Sequence, residues 1–268
     1  MNLRNETIGA ITAYDSKDQR CKGHTANTQF SITPFAENII RIQVSKEAAF
    51  EEYPFSVIMQ PESVVPELKD TAESIEFSTS AIRLEIQKDP FRLSFYNKKG
   101  ELLNADDPQF GISWLGHKVS NYKQLATDEK FIGLGEKGGG LNRRGSSYDN
   151  WNSDAFGFNN DTDPLYVSTP FFIGIRNGNP YGIFFDNTHK THFNFGTSNN
   201  DRFSYFSADA GDLNYYFIQG ENVAEVIQNY AKLTGTIQMP PKWSLGFQQC
   251  RFSYYPDHEL KNIADTFR

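Results

Sequence analysis

The chain contains little cysteine, with only Cys21 and Cys250 among its 268 residues. Two widely separated cysteines do not form a disulfide framework, so a packed core must hold the fold together. No run of about 18 apolar residues is present, which argues against a transmembrane helix and a membrane partner. The first 20 residues lack the apolar segment of a secretory signal. A cytoplasmic location is therefore favoured over a periplasmic or secreted one, which would require a signal that had been removed.

Positive charge is also scarce, because 26 Lys and Arg face 33 Asp and Glu and leave a net charge of −7. An acidic chain repels phosphate backbones, so nucleic acid is not an expected partner. Aromatic residues, in contrast, are abundant, with 23 Phe and 13 Tyr. They favour β-strands. Most of them are expected in the core, but flat rings also match the apolar faces of pyranose sugars.

The first 220 residues contain many short strand patterns and almost no helical one. In the run 81–88, Ile82, Leu84 and Ile86 alternate with polar residues, which is the period of a half-buried strand. Further strand patterns are spaced closely along the chain, at 38–44, 92–97, 170–176, 181–186, 191–195 and 213–219. Such a series predicts a mainly β fold, an antiparallel β-sandwich.

The pattern changes to helical spacing after residue 220. A helix that ends at Gly235 is predicted by apolar residues spaced three or four apart. These residues are Val223, Val226, Ile227, Tyr230 and Leu233. The run WSLGFQQ (243–249) then predicts a buried strand followed by a buried Cys250. Pro256 opens a final amphipathic helix.

These patterns divide the chain into a β-sandwich domain (1–220), a helical linker (221–241) and a strand-helix pair (242–268). A strand followed by one helix is half of a βαβ unit and needs a parallel neighbour to bury it. We therefore expect the chain to be a sandwich domain that carries the opening of a longer α/β domain.

Two familiar motifs are rejected. The run Gly133–Gly138 matches the GxGxxG pattern of dinucleotide sites, but glycines and no apolar helical stripe follow it. A turn-rich loop is predicted there instead. His189 and His192 are too isolated from other ligands to predict a metal site. No cofactor and no metal are expected.

The most unusual run is DNWNSDAFGFNNDTD (149–163), in which acidic and amide side chains alternate with aromatic rings. Its spacing does not fit an EF-hand calcium loop. A carboxylate can accept hydrogen bonds from neighbouring sugar hydroxyls while a ring covers the C–H face of the sugar. From composition alone, however, a solvated polar loop is the more common explanation.

Two longer segments carry a resemblance to a known family. The run FIGLGEKGGGLNRRGSSYDNWNSDAFGFNNDTDPLYVSTPFFIG resembles the N-terminal domain of glycoside hydrolase family 31, the α-glucosidase family. The run TGTIQMPPKWSLGFQQCRFSYY resembles the passage of that family into its catalytic barrel. The resemblance implies a galactose-mutarotase-like β-sandwich followed by the first strand and helix of a (β/α)8 barrel.

The resemblance also implies an activity, retaining hydrolysis of α-glycosidic bonds by a pair of Asp residues on later barrel strands. No catalytic residue is therefore assigned in this chain, which is expected to be inactive without the rest of its own barrel. Asp154 matches a loop residue that binds substrate in the family. Phe252 matches the aromatic residue at the tip of the first barrel strand. Trp151 and Arg251 are weaker substrate-binding candidates, because they could instead anchor the loop and form an ion pair.

Two other functions stay open at this stage. A stand-alone carbohydrate-binding or scaffold module would also use an aromatic, polar loop, but it has no need of the terminal strand and helix. An aldose mutarotase or epimerase shares the sandwich type, but its chemistry needs a histidine and a carboxylate facing one pocket. The expected partner is an α-linked oligosaccharide or glucoside, of a sugar and linkage that the sequence does not specify.

Overall fold

A computed structural model of the chain describes residues 5–16, 19–51, 55–197, 201–251 and 253–268. The chain divides into two units, Met1–Gly235 and Thr236–Arg268. Neither described α-helix has the length and apolar character that crossing a membrane requires.

The first unit is built from strands. In chain order, its described strands are β1 Asn5–Thr7, β2 Ile11–Asp15, β3 Cys21–Thr25, β4 Gln29–Ala36, β5 Ile39–Ser45, β6 Glu67–Asp70, β7 Ser74–Ser78, β8 Ile82–Lys88, β9 Phe91–Asn97, β10 Leu102–Ala105, β11 Ile112–Leu115, β12 Lys118–Gln124, β13 Lys130–Gly135, β14 Ser147–Asn150, β15 Ser168–Arg176, β16 Asn179–Phe185, β17 Thr191–Asn194, β18 Phe203–Ala208 and β19 Leu213–Gln219. The one helix described in this unit, α1, spans Val223–Thr234.

Three antiparallel sheets arise from these strands. The largest has eight strands in the order β13-β15-β16-β19-β5-β4-β3-β2. A six-stranded sheet has the order β1-β11-β12-β18-β17-β14, and a five-stranded sheet has the order β10-β9-β8-β7-β6. All pairings between these described strands are antiparallel, which confirms the predicted β-sandwich class.

The main core lies on one face of the eight-stranded sheet. Ile40, Ile42 and Val44 of β5 are fully buried in it, together with apolar residues from the other two sheets. Stacked rings of Phe95 and Phe217, with centroids 4.0 Å apart, join the five-stranded sheet to the eight-stranded one. Burial of this many aromatic groups is the main force that holds the sheets together.

The opposite face of the eight-stranded sheet is covered by α1. Asn222 caps the helix by accepting a hydrogen bond from the Glu225 amide, 3.0 Å long. Val226 and Leu233 are buried against this face, and the Tyr230 ring stacks on Phe171 at 3.9 Å. The predicted helix is therefore confirmed. It packs here because a sheet with apolar side chains on both faces must be covered on both faces.

A buried ion pair inside the sandwich links β12 to Asp106, the residue that follows β10. Lys123 Nζ lies 2.7 Å from Asp106 Oδ1, and the side chains are 2% and 0% exposed. Asp106 also accepts hydrogen bonds from the Asn121 amide group and the Leu93 backbone amide, each 2.9 Å long. Burial lowers the pKa of Lys123, although the neighbouring Asp106 carboxylate opposes that shift. The core tolerates this ion pair because the hydrogen bonds to each charge offset the cost of removing the two charges from water.

The second unit contains a 3₁₀-helix, Lys242–Leu245, and a helix α2, Asp257–Phe267. The predicted helix after Pro256 is confirmed. The predicted strand at 243–249 is wrong in this structure, and Cys250 is exposed rather than buried. A lone parallel strand needs a neighbouring strand to accept its backbone hydrogen bonds, and the described part of this unit contains none.

Removing the buried cation should destabilise the sandwich strongly. Lys123→Ala leaves the Asp106 carboxylate buried without a counter-charge, so we expect a loss of about 3–5 kcal/mol in the free energy of unfolding. Urea unfolding of the variant measures this value. The control is Lys69→Ala, which removes an exposed ion pair with Glu76 and should leave the urea midpoint unchanged. Equal midpoints for the two variants would contradict the prediction.

Candidate functional site

The candidate site is built on the connection between β14 and β15, residues 151–167, which we call the Trp151 loop. It contains two of the candidate residues, Trp151 and Asp154. It follows an edge strand, because β14 is the last strand of the six-stranded sheet. The loop therefore leaves the sandwich at a sheet edge, where its side chains can reach solvent.

Both ends of the loop are held by one buried lysine. Lys137 has a fully buried side chain, and its ammonium group donates to the Asp149 carbonyl and to Asp163 Oδ1, the latter at 2.7 Å. The second oxygen of the Asp163 carboxylate accepts from the Asp149 amide. Arg143 braces the neighbouring turn by donating to the Gly138 and Gly140 carbonyls. This segment, 136–146, forms the turn-rich loop that the sequence predicts in place of a dinucleotide site.

Asp149 connects the loop to the neighbouring strand. It lies directly opposite His192 in the β14–β17 register, and its Oδ1 lies 2.7 Å from His192 Nδ1. Lys190 Nζ lies 2.6 Å from the other carboxylate oxygen. Burial alone would raise the pKa of Asp149, but the hydrogen bonds from Lys190 and His192 outweigh burial and hold this pKa below its ordinary value.

Hydrogen bonds inside the Trp151 loop keep its course defined. Asn152 accepts from the Ser168 amide at 2.7 Å, and the Ser153 amide donates to the Leu165 carbonyl at 2.9 Å. Tyr166 donates its hydroxyl to the Ala155 carbonyl at 3.0 Å. The loop is therefore an ordered platform, braced by its own short polar side chains.

The platform presents aromatic rings and a free carboxylate to solvent. Trp151 is 54% exposed, and Phe156 and Phe158 are exposed beside it in sequence. Asp154 is exposed, and its carboxylate has no hydrogen bond or ion pair with any residue that the structure describes. An acidic acceptor with unused capacity next to exposed rings is the combination that sugar hydroxyls and sugar C–H faces can use.

The other two candidate residues lie in the second unit. Arg251 is exposed, and its guanidinium group lies 5.7 Å from the centroid of the Tyr254 ring. This stacking is the contact that the structure describes for Arg251, in place of the ion pair considered from the sequence. Phe252 lies outside the described residues.

Comparison with known protein families gives two matches in chain order. Residues 29–194 match the glycosyl hydrolase 31 N-terminal galactose mutarotase-like domain. Residues 237–268 match the glycosyl hydrolases family 31 TIM-barrel domain. The first match covers most of the sandwich unit, including the Trp151 loop as far as β17.

Curated relatives and solved structures give consistent results. Alpha-glucosidase 2 of Bacillus thermoamyloliquefaciens is 37% identical over 265 residues, which are 97% of this chain and 33% of that protein. The alpha-glucosidase of Saccharolobus solfataricus is 35% identical over 153 residues, 57% of this chain and 22% of that protein. A mutant GH31 dextranase of Flavobacterium johnsoniae complexed with isomaltotriose matches with a TM-score of 0.88 at 39% identity, over 98% of this chain and 32% of that one. The chain thus spans about a third or less of the length of these relatives.

Acid should remove the contribution of Asp149 to stability. Because its folded-state pKa is below the unfolded value of about 3.9, its stabilisation is present above that value and is lost as pH falls through the folded-state pKa. Asp149→Asn should lower the free energy of unfolding by about 0.5–1 kcal/mol at pH 7 and by almost nothing at pH 2.

Urea unfolding of the wild type and the variant between pH 7 and pH 2 measures this difference. Asp154→Asn is the control, because the Asp154 carboxylate has no partner among the described residues, and this variant should leave the urea midpoint at pH 7 unchanged. A gap between wild type and Asp149→Asn that stays constant over the whole pH range would refute the assignment.

Proposed function

The chain belongs to glycoside hydrolase family 31, and from this premise we propose that it serves as the N-terminal part of a retaining α-glycosidase. The consecutive matches at 29–194 and 237–268 carry this proposal, because they give a sandwich and a barrel opening in the family's order. They confirm the resemblance inferred from the Trp-Asn-x-Asp and Pro-Pro-x-Trp motifs.

The proposed substrate is an oligosaccharide of α-linked glucose. Two relatives at 37% and 35% identity are named alpha-glucosidases, and the dextranase structure at 39% identity is a complex with isomaltotriose. More distant relatives include an isomaltosyltransferase of Sporosarcina globispora and an alpha-xylosidase of Lactiplantibacillus pentosus, at 29% and 30% identity. The substrate class of an α-linked sugar is common to these names, whereas linkage and chain length differ between them.

In retaining hydrolysis, a carboxylate attacks the anomeric carbon while a carboxylic acid protonates the leaving oxygen. Water then releases the sugar from the covalent glycosyl-enzyme intermediate, and the first carboxyl group acts as base. The family resemblance assigns both carboxyl groups to barrel strands after the first. We therefore propose that residues 1–268 contribute substrate binding and support for the barrel rather than the reacting carboxylates.

Asp154 is the proposed sugar ligand of this chain. Its free, exposed carboxylate can accept hydrogen bonds from two adjacent hydroxyls, and charge-assisted bonds of this kind are stronger than neutral ones. The hydrogen bonds from the buried Lys137 ammonium group hold both ends of the Trp151 loop. They thereby restrict where the loop can place the Asp154 carboxylate. Trp151, Arg251 and Phe252 remain proposed substrate-binding residues.

Mutarotase chemistry is the less favoured alternative. It requires a histidine and a carboxylate that face one pocket as acid and base. His192 and Asp149 are hydrogen-bonded to each other, and Lys190 occupies the second carboxylate oxygen. This pair is therefore engaged in holding β14 and β17 together.

The activity is tested by assaying the chain with and without the rest of its barrel. Residues 1–268 alone should release no glucose from maltose, isomaltose or isomaltotriose and should not speed the anomerisation of α-glucose. The complete protein should release glucose with retained α configuration, followed by NMR of the first product. Hydrolysis by residues 1–268 alone, or no α-glycoside hydrolysis by the complete protein, would overturn the proposal.

Asp154→Ala should impair the complete enzyme specifically. Loss of a charge-assisted hydrogen bond costs roughly 1.5–3 kcal/mol, which corresponds to roughly a 10- to 150-fold fall in kcat/KM. Asp161→Ala is the matched control, because Asp161 is an exposed carboxylate in the same loop. Steady-state kinetics with isomaltotriose measures both variants. An unchanged kcat/KM for Asp154→Ala would remove Asp154 from the site.

A further inference from the structure

A cleft lies beside the Trp151 loop, and we call it the Asn150 cleft. It has a volume of about 330 Å³, within the range of about 300–1,000 Å³ that is usual for small-molecule sites. It is formed by the end of β14, the start of β15 and the connection between β16 and β17. Its lining residues are Asn150, Trp151, Asn152, Ser168, Pro170, Asn187, Thr188, His189 and Thr191.

The cleft contains buried polar groups that the protein itself does not use. Asn150 is only 5% exposed, yet neither its amide nitrogen nor its amide oxygen has a hydrogen-bond partner among the described residues. The hydroxyl group of Ser168 is also buried without a partner. Folded proteins pair the large majority of buried polar side-chain atoms, so an unpaired amide and hydroxyl in one cleft indicate a ligand.

Neighbouring polar side chains of the same cleft are used differently. Asn187 donates to the Ala210 and Asp212 carbonyls and accepts from the His189 amide, so its side chain holds the loop together. Asn152 likewise accepts from the Ser168 backbone amide. Structural polar groups in this region therefore do find partners, which sets Asn150 and the Ser168 hydroxyl apart from them.

The chemistry of the lining selects a neutral, hydroxyl-rich ligand. Among the described residues, the lining includes no Asp, Glu, Lys or Arg, so no permanently charged side chain there would stabilise a phosphate or an ammonium group. The Asn150 amide offers one donor and one acceptor side, which matches a hydroxyl group that both donates and accepts. The half-exposed Trp151 ring and the Pro170 ring supply apolar surface for a sugar C–H face.

We propose that the Asn150 cleft is a separate sugar-binding subsite of the sandwich unit, which takes one neutral hexopyranose of a gluco-oligosaccharide. The identity of the sugar rests on the proposed function, whereas the existence of the site rests on the unpaired groups of Asn150 and Ser168. Asp154 is not among the lining residues, so this subsite differs from the contact proposed for that carboxylate. It requires no residue of the second unit.

The experiment uses residues 1–268 as they are, titrated with glucose and with isomaltotriose while ¹H–¹⁵N NMR shifts and tryptophan fluorescence are recorded. We expect saturable shifts of the Asn150 side-chain amide and of the Trp151 indole. Asn150→Leu replaces the unpaired amide by an apolar group of similar size. It should weaken binding at least about tenfold, equivalent to about 1.4 kcal/mol, while the urea midpoint stays equal or rises.

Ser168→Ala gives a second reading that does not depend on Asn150, with an expected several-fold loss of affinity. Its matched control is Ser78→Ala, because Ser78 also has a buried, unpaired hydroxyl but lies on β7, away from the cleft. This control should bind sugar like the wild type.

The proposal is overturned if neither sugar produces saturable shifts, or if Asn150→Leu and Ser168→Ala bind as the wild type does. Failure here is distinct from failure of the proposed function, because hydrolysis by the complete protein is measured separately. A complete protein that hydrolyses α-glucosides, together with residues 1–268 that bind no sugar, would refute the subsite alone. Binding by residues 1–268 with no hydrolysis by the complete protein would refute the glycosidase proposal alone.

Discussion

Burial of the eight-stranded sheet on both faces is the constraint on which the sandwich unit depends. In β19, Tyr215 and Phe217 point into the main core, and Tyr216 and Ile218 point to the face that α1 covers. Alternate side chains of one strand thus bury apolar surface in two separate cores. The sheet is stable only when both of its faces are covered. The loops between strands therefore lie at the edges of the sheets, where a binding surface can form.

The polar groups around the Trp151 loop differ in whether they have hydrogen-bond partners. The side chain of Lys137 is fully buried, and its ammonium group donates hydrogen bonds at both ends of the Trp151 loop. The Asp154 carboxylate and the Asn150 amide, which follow it in the chain, have no partners among the described residues. Water hydrates the exposed Asp154 carboxylate, but leaving the buried Asn150 amide unpaired costs stability, a cost that proteins accept mainly at sites that bind a ligand.

Several elements could be predicted because their patterns are local. Ile82, Leu84 and Ile86 alternate with polar residues, and all three are buried on one face of β8. The predicted end of α1 at Gly235 is confirmed by the hydrogen bond from its amide to the Ala231 carbonyl. The run 243–249 could not be predicted in the same way, since a parallel strand depends on a neighbouring strand that the local sequence does not contain.

The sequence by itself determined the sandwich class, the family motifs and the candidate residues Trp151 and Asp154, because each of these is written in short runs of adjacent residues. Only the tertiary structure decided that Lys137 holds the loop, that Asp149 pairs with His192, and that Asn150 shares a cleft with a strand connection some 40 residues away. The physical reason is that strand pairing joins distant segments, as in the β14–β17 register, and a hydrogen-bond partner or a cleft wall is defined by position in space rather than by spacing along the chain.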